Sequence, residues 1–409
     1  MKRRILALSN RPFLLSLLAL LIPAFCFPAG LPSKKTRRHT TAHPAAVKAE
    51  PKAEAPAPAP KPSTEFTQAP AAARASLATA YVPNGPWTEP TFADSTDGDN
   101  VDGEDLVVRR AAVEALGDYN GSVVAVDAKT GRVLTMVNQR LALGAGFQPC
   151  STIKVSVALA GLSEDALTPS NKFRLPGMGK MDLTYALAHS NNYFFATLGE
   201  ALGFQKVSYY AHLLGYGEKA GLNIAGEQPG HYPTAPPRNG GLGMLCSFGE
   251  EVSQTPLQLA ALMSAVANGG TLYYLQYPKT PAEVRAFTPR IKRRLEIGNL
   301  IPLVEPGMRG AVEFGTAQRA KEDGPIAGKT GTCGQEHTHL GWFGSFNSIG
   351  SRKLVVVVLL TGGRPDTGPL AAGVAGDLYH ALSEKNYFAT AQPIGPANLV
   401  ASRICCSNR

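Results

Sequence analysis

Charge is scarce in this chain, and strict repetition is missing from it. Only 17% of its 409 residues are Asp, Glu, Lys or Arg, against 44% hydrophobic. Most of the sequence can therefore bury a core, and a wholly disordered chain is excluded. There is no heptad run, no Gly-X-Y period and no internal repeat, which excludes fibrous classes. Most of the chain also lacks net charge. Residues 1–62 hold 11 of the 40 Lys and Arg but only 2 of the 31 acids, which leaves 29 of each sign elsewhere. A body of zero net charge argues against nucleic-acid binding.

What is present begins with an export-like start. Lys2, Arg3 and Arg4 precede an apolar stretch, Pro12 to Gly30, broken only by Ser16. This is the layout of a signal peptide or an uncleaved signal anchor over residues 1–30. Lys34, Lys35, Arg37 and Arg38 follow it, and positive charge there opposes export. Residues 31–104 include the Ala-Pro alternation of residues 55–60, which favours extended polyproline II and cannot form a core. This stretch reads as a Pro/Ala-rich linker. Residues 105–388 read as the folded domain and 389–409 as a tail.

Within the domain, Val123–Val126 and Val133–Val137 flank Asp127-Ala128-Lys129-Thr130-Gly131, which predicts a hairpin. A helix is expected from Ser151, another near Asp182, and mostly helix over residues 198–214. Thr255-Pro256-Leu257-Gln258 has a capping-box residue pair with Pro at the first helical position, and Gly269-Gly270 ends that helix. Residues 340–347 and 354–360 read as adjacent strands, and 368–384 as a closing helix. The result is a sheet layered with helices, with a helical insertion between its halves.

Three short motifs carry chemistry. The only S-x-x-K is Ser151-Thr152-Ile153-Lys154. On a helix, residues i and i+3 share a face, so Lys154 can reach the Ser151 hydroxyl. A lysine of lowered pKa can take that proton. By itself the motif equally describes a capping serine beside a solvated lysine. Ser190-Asn191-Asn192 is an S-x-N, in which a hydroxyl can relay a proton and an amide can hold a carbonyl. Ser345-Phe346-Asn347 has the same form. Lys329-Thr330-Gly331-Thr332 is strand-like, and Lys with Thr hydroxyls suits a carboxylate. Lys129-Thr130-Gly131 repeats K-T-G, but in a turn. Ser190 lies 39 residues after Ser151, and Lys329 lies 139 after Ser190. Neither decoy gives that order.

The ordered set S-x-x-K, S-x-N, K-T-G-T resembles the transpeptidase domain of penicillin-binding proteins, relatives of the serine β-lactamases. Gly121–Asp127, Met181–Phe195, Ser247-Phe248-Gly249, Thr255–Ala260, Gly315-Thr316-Ala317 and Gly341-Trp342-Phe343 extend the resemblance over roughly residues 105–385. It implies an α/β fold whose mainly antiparallel sheet is flanked by helices with a helical insertion subdomain. It implies a serine D,D-transpeptidase acting on peptidoglycan stem peptides and acylated by β-lactams. Ser151 would be the nucleophile, Lys154 its base and Ser190 the proton relay to the leaving D-Ala. Asn192 would bind the substrate amide. Lys329, Thr330 and Thr332 would bind the terminal carboxylate, and Gly331 would admit substrate. The backbone N–H groups of Ser151 and Thr332 would form the oxyanion hole.

No cofactor or metal is implied, and His337 and His339 read as solvent-facing loop residues. No nucleic-acid partner is expected. The location implied is periplasmic or on the outer face of the inner membrane, with the membrane a partner if the N-terminal segment is retained. The linker reading leaves no room for a glycosyltransferase or an elongated pedestal domain.

The resemblance leaves rivals. A D,D-carboxypeptidase differs only in its acceptor. A serine β-lactamase needs a deacylation base, and neither Glu227 nor Glu218 fits the E-x-x-L-N pattern. A β-lactam-binding sensor or scaffold is the non-enzyme reading. If both outer motifs line one cleft, Cys150 and Cys333 come within disulfide range.

Overall fold

A computed structural model describes residues 87–168, 172–175, 179–321, 324–347, 352–363 and 366–389. The expected N-terminal segment, most of the expected linker, Cys26, Cys405 and Cys406 lie outside the described residues. Among the described residues, no helix is long and apolar enough to cross a membrane.

The first helix is α1 (Leu106–Leu116), whose N-cap Asp105 accepts from the backbone N–H groups of Val107 and Val108. The expected hairpin follows as β1 (Gly121–Asp127) and β2 (Arg132–Val137), with Val123 opposite Val137. In its turn, Asp127 accepts from Lys129 N and Thr130 Oγ1. Gly131 there adopts φ +75°, a left-handed conformation that glycine tolerates best. That local turn accounts for the first K-T-G.

The chain then leaves the sheet for the helical insertion. It comprises α2 (Gln139–Leu143), a 3-10 turn (Cys150–Ile153) running into α3 (Lys154–Ser163), the short strands β3 (Phe173–Leu175) and β4 (Gly179–Met181), and α4 (Leu183–Ala188). Next come α5 (Asn192–Leu202), α6 (Phe204–Leu213), α7 (Gly241–Phe248) and α8 (Pro256–Ala267). The insertion ends with β5 (Thr271–Tyr274), α9 (Pro281–Arg285), β6 (Arg290–Arg294) and α10 (Ile301–Glu313). The chain returns through β7 (Ile326–Gln335), β8 (Thr338–Asn347) and β9 (Leu354–Gly362), then closes with α11 (Gly368–Glu384).

The main sheet has the order β2-β1-β9-β8-β7, and every neighbouring pair is antiparallel. Its central strand, β9, is buried along its length. Leu354, Val356, Val358 and Leu360 pack on the side of α1 and α11. Val355, Val357 and Leu359 pack on the other side, with the side chains of α3, α5 and α8. Successive strand residues point to opposite faces, and here both faces are covered. Hence the uninterrupted Leu-Val-Val-Val-Val-Leu-Leu run instead of an apolar–polar alternation. The second S-x-N is structural: Ser345 Oγ donates to Val356 O, and Asn347 Oδ1 accepts from Leu354 N.

Two expectations are corrected. The helix expected from Ser151 is a 3-10 turn, and regular α-helix begins at Lys154. The mostly helical stretch expected over 198–214 is present as two helices, α5 starting at Asn192 and α6 after it, divided at Gly203 with φ +80°. The linker does not extend to residue 104. Thr88 N and Glu89 N donate to His337 O, Asn120 N donates to Thr91 O, and Asp99 pairs with Arg109 at 2.8 Å. Scattered polar anchors hold this segment, and they leave no periodic signature in the sequence.

Candidate active site

Five segments meet around the Ser151, Lys154 and Ser190 side chains. The 3-10 turn supplies Ser151, and the first turn of α3 supplies Lys154. The link between α4 and α5 supplies Ser190, and α5 begins with Asn192. The edge strand β7 supplies Lys329. The α4–α5 link is shaped locally: Asn191 caps α5 by accepting from Phe194 N, and Ser190 sits at φ +55°. A left-handed non-glycine residue costs on the order of 1 kcal/mol and concentrates where geometry is functional. Cys150, immediately before the nucleophile, shares this conformation at φ +50°.

Lys154 is the hub. Its Nζ lies 2.8 Å from Ser151 Oγ, 3.2 Å from Ser190 Oγ, 3.0 Å from Ser190 O and 2.6 Å from Asn192 Oδ1. Lys329 Nζ donates to the same Ser190 Oγ at 2.8 Å and to Thr330 O at 3.0 Å. The Ser190 hydroxyl thus bridges two lysines. Both lysines are fully buried, and Ser151 is 7% exposed. Asn192 is exposed, and with Oδ1 on Lys154 its Nδ2 remains to donate outward.

No carboxylate pairs with either lysine among the described residues. Burial pushes Lys154 well below the ordinary lysine pKa, and the nearby charge of Lys329 adds to the shift. Burial brings Lys329 down to about 7. A neutral amine beside a hydroxyl is a base for that hydroxyl. The rings of Phe195 and Phe248 stand 5.8 and 5.7 Å from Lys154 Nζ and supply the apolar wall.

Strand alternation divides the third motif. Lys329 faces Ser190, and Gly331 faces the serine turn, where an added Cβ would lie 3.0 Å from Pro149 O and 3.2 Å from Cys150 Cβ. Thr330 and Thr332 turn toward α11. Thr330 Oγ1 is 2.6 Å from Thr316 Oγ1, and Thr332 Oγ1 accepts from Gly368 N at 2.8 Å. The structure therefore joins Ser151, Lys154, Ser190, Asn192 and Lys329 directly. It places the two threonines on the other face of the same strand.

Cys150 and Cys333 are disulfide-bonded, with Cα atoms 5.6 Å apart. Cys246 is free and buried, and its thiol is pushed up to about 12 by burial. His337 is exposed in the β7–β8 turn, while His339 is half-buried with its ring 5.3 Å from Trp87 and its Nδ1 on Asp366 O. The ring contact of His339 with Trp87 and its bond to Asp366 O correct the solvent-facing expectation for that residue.

Sequence reasoning assigned no role to Ser247 or Thr316. Ser247 donates to Asn192 O at 2.9 Å, and its carbonyl lies 3.5 Å from Ser151 Oγ. Both residues belong to stretches quoted for the resemblance, which was the available signal. Glu227 is buried, with its carboxylate accepting from the N–H groups of Ala220 and Gly221. Glu218 is ion-paired with Lys292 and Arg293. Both acids are occupied away from Ser151.

The family described as penicillin binding protein transpeptidase domain matches residues 121–380. Stage V sporulation protein D of Bacillus subtilis is 28% identical over 280 residues, 60% of this chain and 43% of that protein. Peptidoglycan D,D-transpeptidase MrdA of Haemophilus influenzae is 24% identical over 361 residues, 66% of this chain and 54% of that protein. Peptidoglycan D,D-transpeptidase FtsI of Escherichia coli K12 is 26% identical over 253 residues, 51% and 43% respectively. The chain thus spans about half the length of these relatives. In fold it is similar to PBP2 of Pseudomonas aeruginosa, solved with WCK 5153, at a TM-score of 0.56, 24% identity, and coverage of 69% of this chain and 77% of that one. The D,D-transpeptidase domain from Eggerthella lenta gives a TM-score of 0.58 at 21% identity, covering 69% and 82%. With the three motifs gathered around one buried lysine amine and a family match across most of the described fold, the chain belongs to the penicillin-binding protein transpeptidase family.

Proposed function

We propose that this protein is an exported serine D,D-transpeptidase that acts on peptidoglycan stem peptides and is acylated by β-lactams. The observation that carries the reading is Lys154 Nζ within hydrogen-bond reach of Ser151, Ser190 and Asn192 at once. Neutral Lys154 takes the Ser151 proton as Oγ attacks the carbonyl carbon of the penultimate D-Ala. The backbone N–H groups of Ser151 and Thr332 hold the oxyanion. The proton passes through the Ser190 hydroxyl to the departing D-Ala amine. An acceptor amine then attacks the acyl-serine ester and releases Ser151. Lys329, cationic at neutral pH or below, receives the donor's terminal carboxylate, while the Thr330 and Thr332 hydroxyls, turned toward α11, support the strand from its other face. These steps use no cofactor.

Two features favour transfer to an amine over hydrolysis of β-lactams. Glu227 and Glu218, the acids nearest a deacylation pattern in sequence, are held by backbone amides and by basic side chains. No other acid is bonded to Ser151 or Lys154 among the described residues. A fluorescent penicillin and a D-Ala-D-Ala thioester, with and without an added amine, test the reading. The expected result is a persistent label that Ser151→Ala abolishes, with thioester consumption rising with amine concentration. Rapid loss of label identifies a β-lactamase. Consumption indifferent to amine identifies a carboxypeptidase, and labelling without thioester turnover identifies a sensor.

A further inference from the structure

The disulfide stands at a particular point in the chain. Cys150 is immediately before Ser151, and Cys333 immediately after Thr332, although 183 residues separate the cysteines. The bond therefore sits one residue from each of the two backbone N–H groups assigned to the oxyanion. Those donors come from segments that share no regular hydrogen-bond ladder. One lies in a 3-10 turn, and the other in an edge strand whose ladder pairs it with β8. Their spacing has to be set by ties across the gap.

Few ties are present. Gln148 N donates to Gln335 Oε1 at 2.7 Å, and Trp342 Nε1 donates to Gln148 O at 3.0 Å. Both grip residue 148, two residues before Cys150, rather than residue 151. Among the described residues, the Ser151 side chain has only the long 3.5 Å contact to Ser247 O and the bond from Lys154. Bare Gly331 lets Pro149 and Cys150 lie against β7 but does not hold them there. Cys150 sits at φ +50°, a conformation that costs a non-glycine residue energy and needs its surroundings to hold it.

We propose that the Cys150–Cys333 bond positions the oxyanion donors for acylation and serves as a redox control point of the same site. This rests on the transpeptidase reading above. A dithiol is the reductant required. One of its thiolates attacks Cys333 Sγ, the half-buried member, and Cys150 leaves as a thiolate that takes up a proton. The second thiol resolves the mixed disulfide, so the reagent ends as a disulfide and the protein as two thiols. Cys150 belongs to one apolar cluster and Cys333 lies in β7, but the other apolar cluster and strands β1, β2, β8 and β9 contain neither cysteine.

The test is stopped-flow acylation of the full chain by a fluorescent penicillin. It is run on oxidised protein and on protein reduced with dithiothreitol, desalted, with thiols counted. Reduction is expected to lower the maximal acylation rate at least ~10-fold, with little change in the pre-covalent dissociation constant. Near-UV circular dichroism should stay native, and reoxidation should restore the rate. A C150S/C333S variant should be slow in both conditions and indifferent to reductant. Equal rates in the two states with two new thiols counted overturn this inference alone and leave the transpeptidase reading standing. A rate that falls only in step with loss of the native spectrum also overturns it. Oxidised protein that takes up no penicillin removes the transpeptidase reading itself.

Discussion

Lys154 and Lys329 set the pH behaviour of the site, because each is buried without a carboxylate partner. The neutral form of Lys154 grows as pH rises through a value well below 10.5. Lys329 loses its proton near 7, and with it the grip on a carboxylate. A donor with a free C-terminus should therefore give a bell-shaped kcat/KM profile, whose two limbs belong to the lysine pair. Amidating that C-terminus should remove the falling limb and leave the rising one, and initial rates at fixed low donor concentration read this directly. Stability follows the same titration. Between about 7 and 10 the unfolded chain binds a proton at residue 329 that the folded chain does not, so the protein gains stability as pH rises there. Below 7 both forms are protonated and the burial cost is constant. Lys329→Met should reduce the rise in urea midpoint between pH 7.5 and 9.5 and leave the part that belongs to Lys154, which burial lowers as well. Asp366, whose buried carboxyl oxygens have no hydrogen-bond partner among the described residues and whose pKa is pushed up to about 7, titrates mostly below that window. Little of this is legible from sequence. Helical spacing brings Ser151 to Lys154, but only the fold makes Ser190 a bridge between two lysines.

At the scale of elements, the contact between the serine turn and β7 is sensitive to a single methyl group. A Cβ at residue 331 would meet Pro149 O at 3.0 Å, Trp342 Cβ at 3.1 Å and Cys150 Cβ at 3.2 Å. Each neighbour must give by a few tenths of an ångström, and two of the three carry or precede the nucleophile turn. Gly331→Ala should slow acylation by about tenfold or more at a stability cost of about 1–2 kcal/mol. The α8 cap provides a contrast. Thr255 accepts from Gln258 N, and Gln258 returns a bond from Thr255 N. Thr255→Ala should cost about 1 kcal/mol and lower Tm by about 2–4 °C, with acylation at 25 °C unchanged. The cap is legible in the sequence because all its parts lie within four residues. The hairpin, β8, β9 and α11 are legible for the same local reasons. The serine turn is not, because its 3-10 geometry follows from packing against a strand almost two hundred residues away. Helix α10 was not expected either, since Pro306 inside it reads as a helix breaker.

The whole molecule is a sheet built from two distant parts of the chain. β1 and β2 come from its first third, and β7, β8 and β9 come after the insertion. Closing β1 onto β9 is what brings the insertion's Ser151 and Ser190 over β7. The segment 87–104 belongs to this closure, contrary to what its composition suggests. Glu104 is 8% exposed, accepts from Thr135 Oγ1 at 2.7 Å and Met136 N at 2.9 Å, and is bonded by Tyr277 OH. Asp99 accepts from Asn138 N and Gln139 N and pairs with Arg109, itself 8% exposed. Deleting both acids would leave a buried guanidinium with only Met136 O as partner. Removing one side of a buried ion pair costs about 3–5 kcal/mol. A chain beginning at residue 87 should keep the Tm and acylation rate of the full chain. One beginning at 105, where the sequence reading places the boundary, should melt at least several degrees lower or fail to accumulate as soluble protein. Equal melting of the two would mean that the Asp99–Arg109–Glu104 network is replaced by water at no cost, and that the fold begins with α1 after all.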